Sequence, residues 1–180
     1  MSVLVPIANG SESLETVAIV NVLRRAGVAV TLASIEPTLT VSATRELKLT
    51  ADAFFKDVAS RDWDAIVLPG GLPGAEALGK HAPLIARLEQ QRDDGKLYGG
   101  ICAAPAVALG RNGLLDGKRA TGYPGIEGVA QRVEEKVVVD GNCITSQGPG
   151  TAIAFGLKLA ELLAGAPKAQ EVARTMLAAA

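Results

Sequence analysis

Short apolar runs alternate with stretches of helical spacing along the whole chain. Val3-Leu4-Val5-Pro6-Ile7-Ala8 has no polar interruption and ends at Asn9-Gly10-Ser11, the pattern of a strand buried on both faces and closed by a turn. From Ser13 to Ala26 the spacing becomes helical. Leu14, Val17, Ala18 and Val22 form one stripe, Ile19, Val20 and Leu23 a second, and Gly27 stands where a helix is capped. Two stripes need two partners. A sheet supplies one and a second copy of the protein most simply supplies the other, so this helix is the predicted homodimer element. Val28 to Ser34 alternates as the next strand, and Val41 to Leu49 reads as a hairpin arm, ending near Asp52, added at an edge.

The same alternation continues. Asp64-Ala65-Ile66-Val67-Leu68 is a buried strand closed by Pro69-Gly70-Gly71-Leu72-Pro73-Gly74, with a helix from about Ala75 and another over Pro83 to Asp94. Leu97 to Ile101 is a strand that runs into Cys102, and Ala103 to about Asn112 reads as a regular helix. A loop-rich stretch, Gly113 to Gly125, holds a short strand at Arg119-Ala120-Thr121 and the tripeptide Gly122-Tyr123-Pro124. Val137-Val138-Val139 and Cys143-Ile144-Thr145 form a strand pair about Asp140-Gly141. Ser146 to Gly150 breaks the chain before helices at Thr151 to Leu163 and Ala169 to Ala178. Strands alternating with helices predict an α/β fold, a largely parallel sheet between helical layers.

Composition narrows what such a fold can do. At 180 residues the chain is one domain in length, residues 1–180, and 48% hydrophobic with mean hydropathy +0.26. No stretch reaches the ~18 apolar residues of a membrane span, and no basic segment or cleavage signal opens the chain, so a cytoplasmic location without a membrane partner is expected. A net charge of −1 with scattered lysines and arginines argues against a nucleic-acid partner. Two cysteines and one histidine cannot close a zinc site, and no metal or cofactor is implied.

The chemistry centres on Cys102. A thiol between a buried strand and an alanine-rich helix with Pro105 in its first turn occupies a nucleophile-elbow position, and Gly100-Ile101-Cys102-Ala103-Ala104 is similar to G-x-S-x-G. Unpaired N–H groups at that helix start should lower the thiol pKa. A small buried structural cysteine is the plainer alternative. In parallel sheets the chemistry gathers beyond the carboxyl ends of the strands, which here collects Asn9 to Ser13, Pro69 to Gly74, Cys102 and Gly122 to Pro124. Glu15 is then the carboxylate placed to meet Cys102; its structural alternative, complementing a helix dipole, could be served by Glu12. The glycine-rich turn matches neither a P-loop nor a dinucleotide fingerprint.

Taken together, Leu68-Pro69-Gly70-Gly71, Ile101-Cys102-Ala103-Ala104-Pro105 and Thr145-Ser146-Gln147-Gly148-Pro149-Gly150-Thr151 resemble the ThiJ/PfpI superfamily, the group that holds the Parkinson's-disease protein DJ and its bacterial relatives. Glu15 and the segment Arg24-Arg25-Ala26-Gly27 extend the resemblance over nearly the whole chain. It implies a flavodoxin-like three-layer sandwich, similar to class I glutamine amidotransferases, that is usually a homodimer. It also implies a nucleophilic Cys102 hydrogen-bonded to a protonated Glu15, backbone oxyanion donors at Gly71 and Ala103, and Arg25 and Arg45 near a dimer-side pocket, with Gly70, Tyr123 and Pro149 also in the pocket. Protease-type members carry histidine after the cysteine, where this chain has Ala103, and its single histidine, His81, reads as an exposed helix start; a peptidase is not expected. Members of the DJ type often have histidine where Tyr123 stands, which leaves proton transfer to Glu15, since a phenol is a poor base near neutral pH.

Two functions use these residues. One is a cofactor-free glyoxalase or deglycase acting on α-oxoaldehydes such as methylglyoxal, or on early glycation adducts. The other is a redox sensor or stress-linked chaperone working by oxidation of Cys102 to sulfinate. The residue types alone do not separate them.

Overall fold

The computed structural model describes residues 1–178. In chain order the elements are β1 (Ser2–Ile7), α1 (Ser13–Arg25), β2 (Ala29–Ser34), β3 (Thr40–Ser42), β4 (Lys48–Thr50), β5 (Ala53–Phe54), α2 (Phe55–Val58), β6 (Ala65–Leu68), α3 (Leu72–Lys80), α4 (Ala82–Asp93), β7 (Leu97–Ile101), β8 (Arg119–Ala120), β9 (Gln131–Arg132), β10 (Val137–Asp140), β11 (Cys143–Ser146), α5 (Ala152–Ala164) and α6 (Ala166–Thr175). The main sheet runs β10-β11-β7-β6-β1-β2-β5, and only β10 is antiparallel to its neighbour.

Strand order places the site. From β1 the chain steps to β2 on one side, whereas from β6 it steps to β7 on the other. Right-handed crossovers therefore put α1 on one face and α3 and α4 on the opposite one, and a crevice opens where the direction reverses, beyond the carboxyl ends of β1 and β6. α5 packs on α1 at Gly156, where a Cβ would lie 2.9 Å from Val22 Cβ. Buried apolar residues from both faces join one core from Val3 to Val172. No helix among the described residues is long and apolar enough to cross a membrane.

Several expectations are corrected. α1 buries Glu15, Ile19, Val22 and Leu23 and leaves Leu14 and Val17 53% and 51% exposed. At about 100° per residue, positions 15, 19, 22 and 23 share the inward face, so Val22 joins Ile19 and Leu23, and the outward apolar residues are Leu14 and Val17. The Val41 to Leu49 arm is a separate two-stranded hairpin, β3–β4, and the sheet edge is β5. α3 begins at Leu72 rather than near Ala75, because Gly71 turns the chain directly into it with Pro73 in the first turn. The last helix is Ala166–Thr175, with Pro167 in its first turn. The helix after Cys102 is not regular: Pro105–Leu109 forms a wide turn in which the Gly110 N–H reaches the Pro105 carbonyl five residues back, followed by a tight turn over Gly110–Asn112.

Candidate active site

Glu15 occupies the first inward position of α1. Glu12 caps the helix, its carboxylate accepting the Leu14 N–H at 3.3 Å, and this frees Glu15 from any need to complement the dipole. Thr44 adds a second cap by accepting the Ser13 N–H at 3.1 Å. Glu15 is 0% exposed, and its Oε2 accepts the Gly70 N–H at 2.7 Å. Oε1 has no hydrogen-bond partner among the described protein atoms.

The two turns that bring Gly70 there touch along their backbones. The Glu12 N–H donates to the Gly70 carbonyl at 2.8 Å. Gly71 has φ 82°, and a Cβ on it would lie 2.6 Å from the Glu12 nitrogen. A Cβ on Gly70 would lie 2.5 Å from Cys102 Cβ, 2.7 Å from Glu15 Oε2 and 3.0 Å from Cys102 Sγ. Only glycine leaves room for the carboxyl and the thiol to approach each other on this side of the Gly70 peptide.

Cys102 itself has φ 64°, a left-handed conformation that non-glycine residues adopt at a cost and that marks the sharp elbow. Its backbone is held at both ends: its N–H donates to the Ser146 carbonyl at 3.0 Å, and its carbonyl accepts the Tyr123 N–H at 2.7 Å. The Ser146 hydroxyl donates to the Lys136 carbonyl at 2.6 Å and lies 2.7 Å from Thr151 Oγ1. The elbow, the loop before α5 and the Tyr123 turn are thus tied together.

Burial lifts the Glu15 carboxyl to about 7 against the pull of the Gly70 N–H. The expected lowering of the Cys102 thiol does not hold. Burial, then the adjacent Glu15 charge, push it up to about 12, although the Gly71 and Ala103 N–H groups favour the anion. The reason is that Cys102, a residue 8% exposed, has lost most of its water and faces a carboxyl group. Above about pH 7 the pair therefore carries one negative charge, held on the Glu15 carboxylate beside a neutral thiol, and passing the thiol proton to that carboxylate gives the reactive thiolate beside a carboxylic acid.

Cys102, Gly71, Ala103, Arg45, Tyr123 and Pro149 line one cavity of about 470 Å³, so most of the predicted site residues meet. Arg45, at φ 57° in the turn between β3 and β4, is exposed at its rim. Arg25 is not brought to it in a single copy of the chain. Its Nε donates to Asn21 Oδ1 at 2.8 Å, and it lines a separate groove of about 440 Å³ between α1, β2 and β4. His81 lies elsewhere, half-buried, its Nδ1 accepting the Leu84 N–H at 3.3 Å as the cap of α4. Thr44 and Ile126 leave no signal in the sequence, whereas Leu72 falls in the Pro69-to-Gly74 turn and Ser146, whose carbonyl holds the elbow, in the Thr145-to-Thr151 segment.

Residues 1–162 match the profile of the DJ-1/PfpI family. The chain is 47% identical to Protein DJ-1 homolog A of Arabidopsis thaliana over 98% of its own length and 46% of that protein's, so it spans about half of that relative. It is 33% identical to glutathione-independent glyoxalase DJR-1.2 of Caenorhabditis elegans, over 92% of this chain and 90% of the relative. Among solved structures it superposes on oxidized DJ-1 of Toxoplasma gondii with a TM-score of 0.96 and 41% identity, covering 99% of each chain.

Proposed function

The chain belongs to the DJ-1/PfpI family, and from that premise and its site we propose that it is a cofactor-free glyoxalase that converts α-oxoaldehydes to 2-hydroxy acids through Cys102 and Glu15. The observation that carries the reading is a buried carboxyl, poised near 7, beside a thiol that sits over two backbone amides.

In the thiolate–carboxylic acid form of the pair, Cys102 sulfur bonds to the aldehyde carbon of methylglyoxal. The carbonyl electrons move to oxygen, which the Gly71 and Ala103 N–H groups hold and the Glu15 proton neutralises. The Glu15 carboxylate, Oε1 having no hydrogen-bond partner among the described protein atoms, then takes the C–H proton of the hemithioacetal and returns it to the neighbouring carbon, while the hydroxyl proton passes from the first oxygen to the former ketone oxygen. That gives a thioester of lactate. Water cleaves it to lactate and regenerates the thiol, so the sum is methylglyoxal plus water to lactic acid, with no external oxidant or reductant. Early glycation adducts enter the same route once the adduct has released its amine or thiol and regenerated the free aldehyde. A second copy of the chain, packed on Leu14 and Val17, completes a homodimer in this reading.

Lactate release from methylglyoxal in thiol-free buffer tests it. Wild type should release lactate and Cys102→Ser none; equal release by the two would overturn the proposal.

One observation favours a second reading, redox sensing. A protonated Oε1 without a partner could donate to an oxygen of Cys102 sulfinate formed by peroxide, and a structural relative was determined in oxidized form. Glu15→Gln separates the two readings. In the enzyme it lowers turnover by roughly 10²–10⁴ while alkylation of Cys102 stays within a few-fold, whereas unchanged turnover would make Cys102 a sensor rather than a catalyst.

A further inference from the structure

Resting on the glyoxalase reading, we propose that the preferred substrates are neutral arylglyoxals, α-oxoaldehydes with an aromatic body, rather than methylglyoxal. A cavity of about 470 Å³ falls in the range that encloses ligands of drug size, and methylglyoxal fills little of it. The reactive end of any substrate is fixed at the floor, where the Cys102 thiol and the Gly71 and Ala103 amides meet, so its substituent projects along the wall. That wall is Leu72, Ile126, Tyr123 and Pro149. Leu72 and Tyr123 are large apolar side chains left exposed beside a site, the arrangement that gains most from a covering apolar group.

Tyr123 is a firm platform. Its N–H is tied to the Cys102 carbonyl, and its ring lies against Gly148, where a Cβ would sit 3.5 Å from Tyr123 Cδ2. A flat substituent meets such a ring with the offset or edge-on geometry that aromatic pairs prefer. Charge selects against an ionic body, because the cavity carries one cation, Arg45, and one anion, Glu12. The reaction balances as before: arylglyoxal plus water gives the 2-aryl-2-hydroxyacetic acid, the aldehyde hydrogen moving as a proton to the neighbouring carbon.

The test is initial rates of wild type, Cys102→Ser, Ile126→Ala and Tyr123→Ala with phenylglyoxal, methylglyoxal and 4-carboxyphenylglyoxal in thiol-free buffer. Wild-type kcat/KM should be about tenfold or more higher for phenylglyoxal than for either other aldehyde. Each wall variant should remove most of that preference through a KM for phenylglyoxal raised about tenfold. Parity among the aldehydes, preference for the carboxylated one, or a preference that survives both wall variants would overturn the inference and leave the glyoxalase reading standing. Absence of Cys102-dependent product from every aldehyde would remove both.

Discussion

Gly70 and Glu15 meet across 55 residues of sequence: the Gly70 N–H donates to Glu15 Oε2 at 2.7 Å, and the Cys102 sulfur lies on the same side of the Gly70 peptide. A methyl group at Gly70 would enter the space of both functional groups at once. Gly70→Ala is expected to cost about 1–3 kcal/mol of stability, since packed neighbours cannot all retreat, and to abolish turnover. Urea denaturation and lactate assays on the same preparation check this; a variant as stable and active as wild type would mean that the carboxyl and thiol do not need this approach.

The raised Glu15 carboxyl makes a stability prediction with a definite sign. Between its ordinary value of 4.5 and about 7 the folded protein holds more proton at this position than the unfolded chain. The contribution to stability is therefore complete below about 4.5 and is lost as pH rises through 7, by about 3 kcal/mol in all. His81, lowered by burial, acts in the opposite sense at acid pH, but it is common to wild type and Glu15→Gln and cancels in their difference. Denaturation of both proteins from pH 4.5 to 8 should show Glu15→Gln gaining on wild type by about that amount. A constant difference across the range would show that Glu15 is ionised in the folded protein at every pH tested.

Leu14 and Val17 are half-exposed while Ile19 and Leu23 are fully buried in the chain's own core. Leu14→Glu or Val17→Glu should then yield a folded monomer, whereas Ile19→Asp should unfold the protein outright. Sedimentation together with circular dichroism distinguishes these outcomes, and a wild type that sediments as a monomer at micromolar concentration would remove the dimer.

Brief exposure to peroxide should add oxygen to Cys102 well before Cys143. Cys143 is 2% exposed, and burial pushes its thiol up to about 12 beside Tyr98, with no backbone amides favouring its anion. Cys102 has two such amides and an open cavity above it. Peptide mass spectrometry after a short pulse reads the order directly, and equal or reversed labelling would contradict it.

Much of this protein follows from local rules that a chain carries in its own residues. Apolar runs closed by glycine and proline marked the strands of a parallel sheet, since a strand covered on both faces has no polar positions to show. The elbow at Cys102 and the carboxylate at Glu15 were equally legible, because the carboxyl ends of parallel strands gather known turns at one end of the sheet. What needed the tertiary structure depends on groups far apart in sequence. Which face of α1 is inward was decided by packing against α5, because apolar residues of one helix look alike until a neighbour is present. The wide turn after Cys102 and the separation of Arg25 from Arg45 arise from how distant segments fit, and neither leaves a mark in local periodicity. The thiol pKa shows the contrast most directly. A helix start is visible in sequence and favours the thiolate, but the loss of water and the facing carboxyl that outweigh it exist only once β1, β6 and β7 have brought Glu15, Gly70 and Cys102 together.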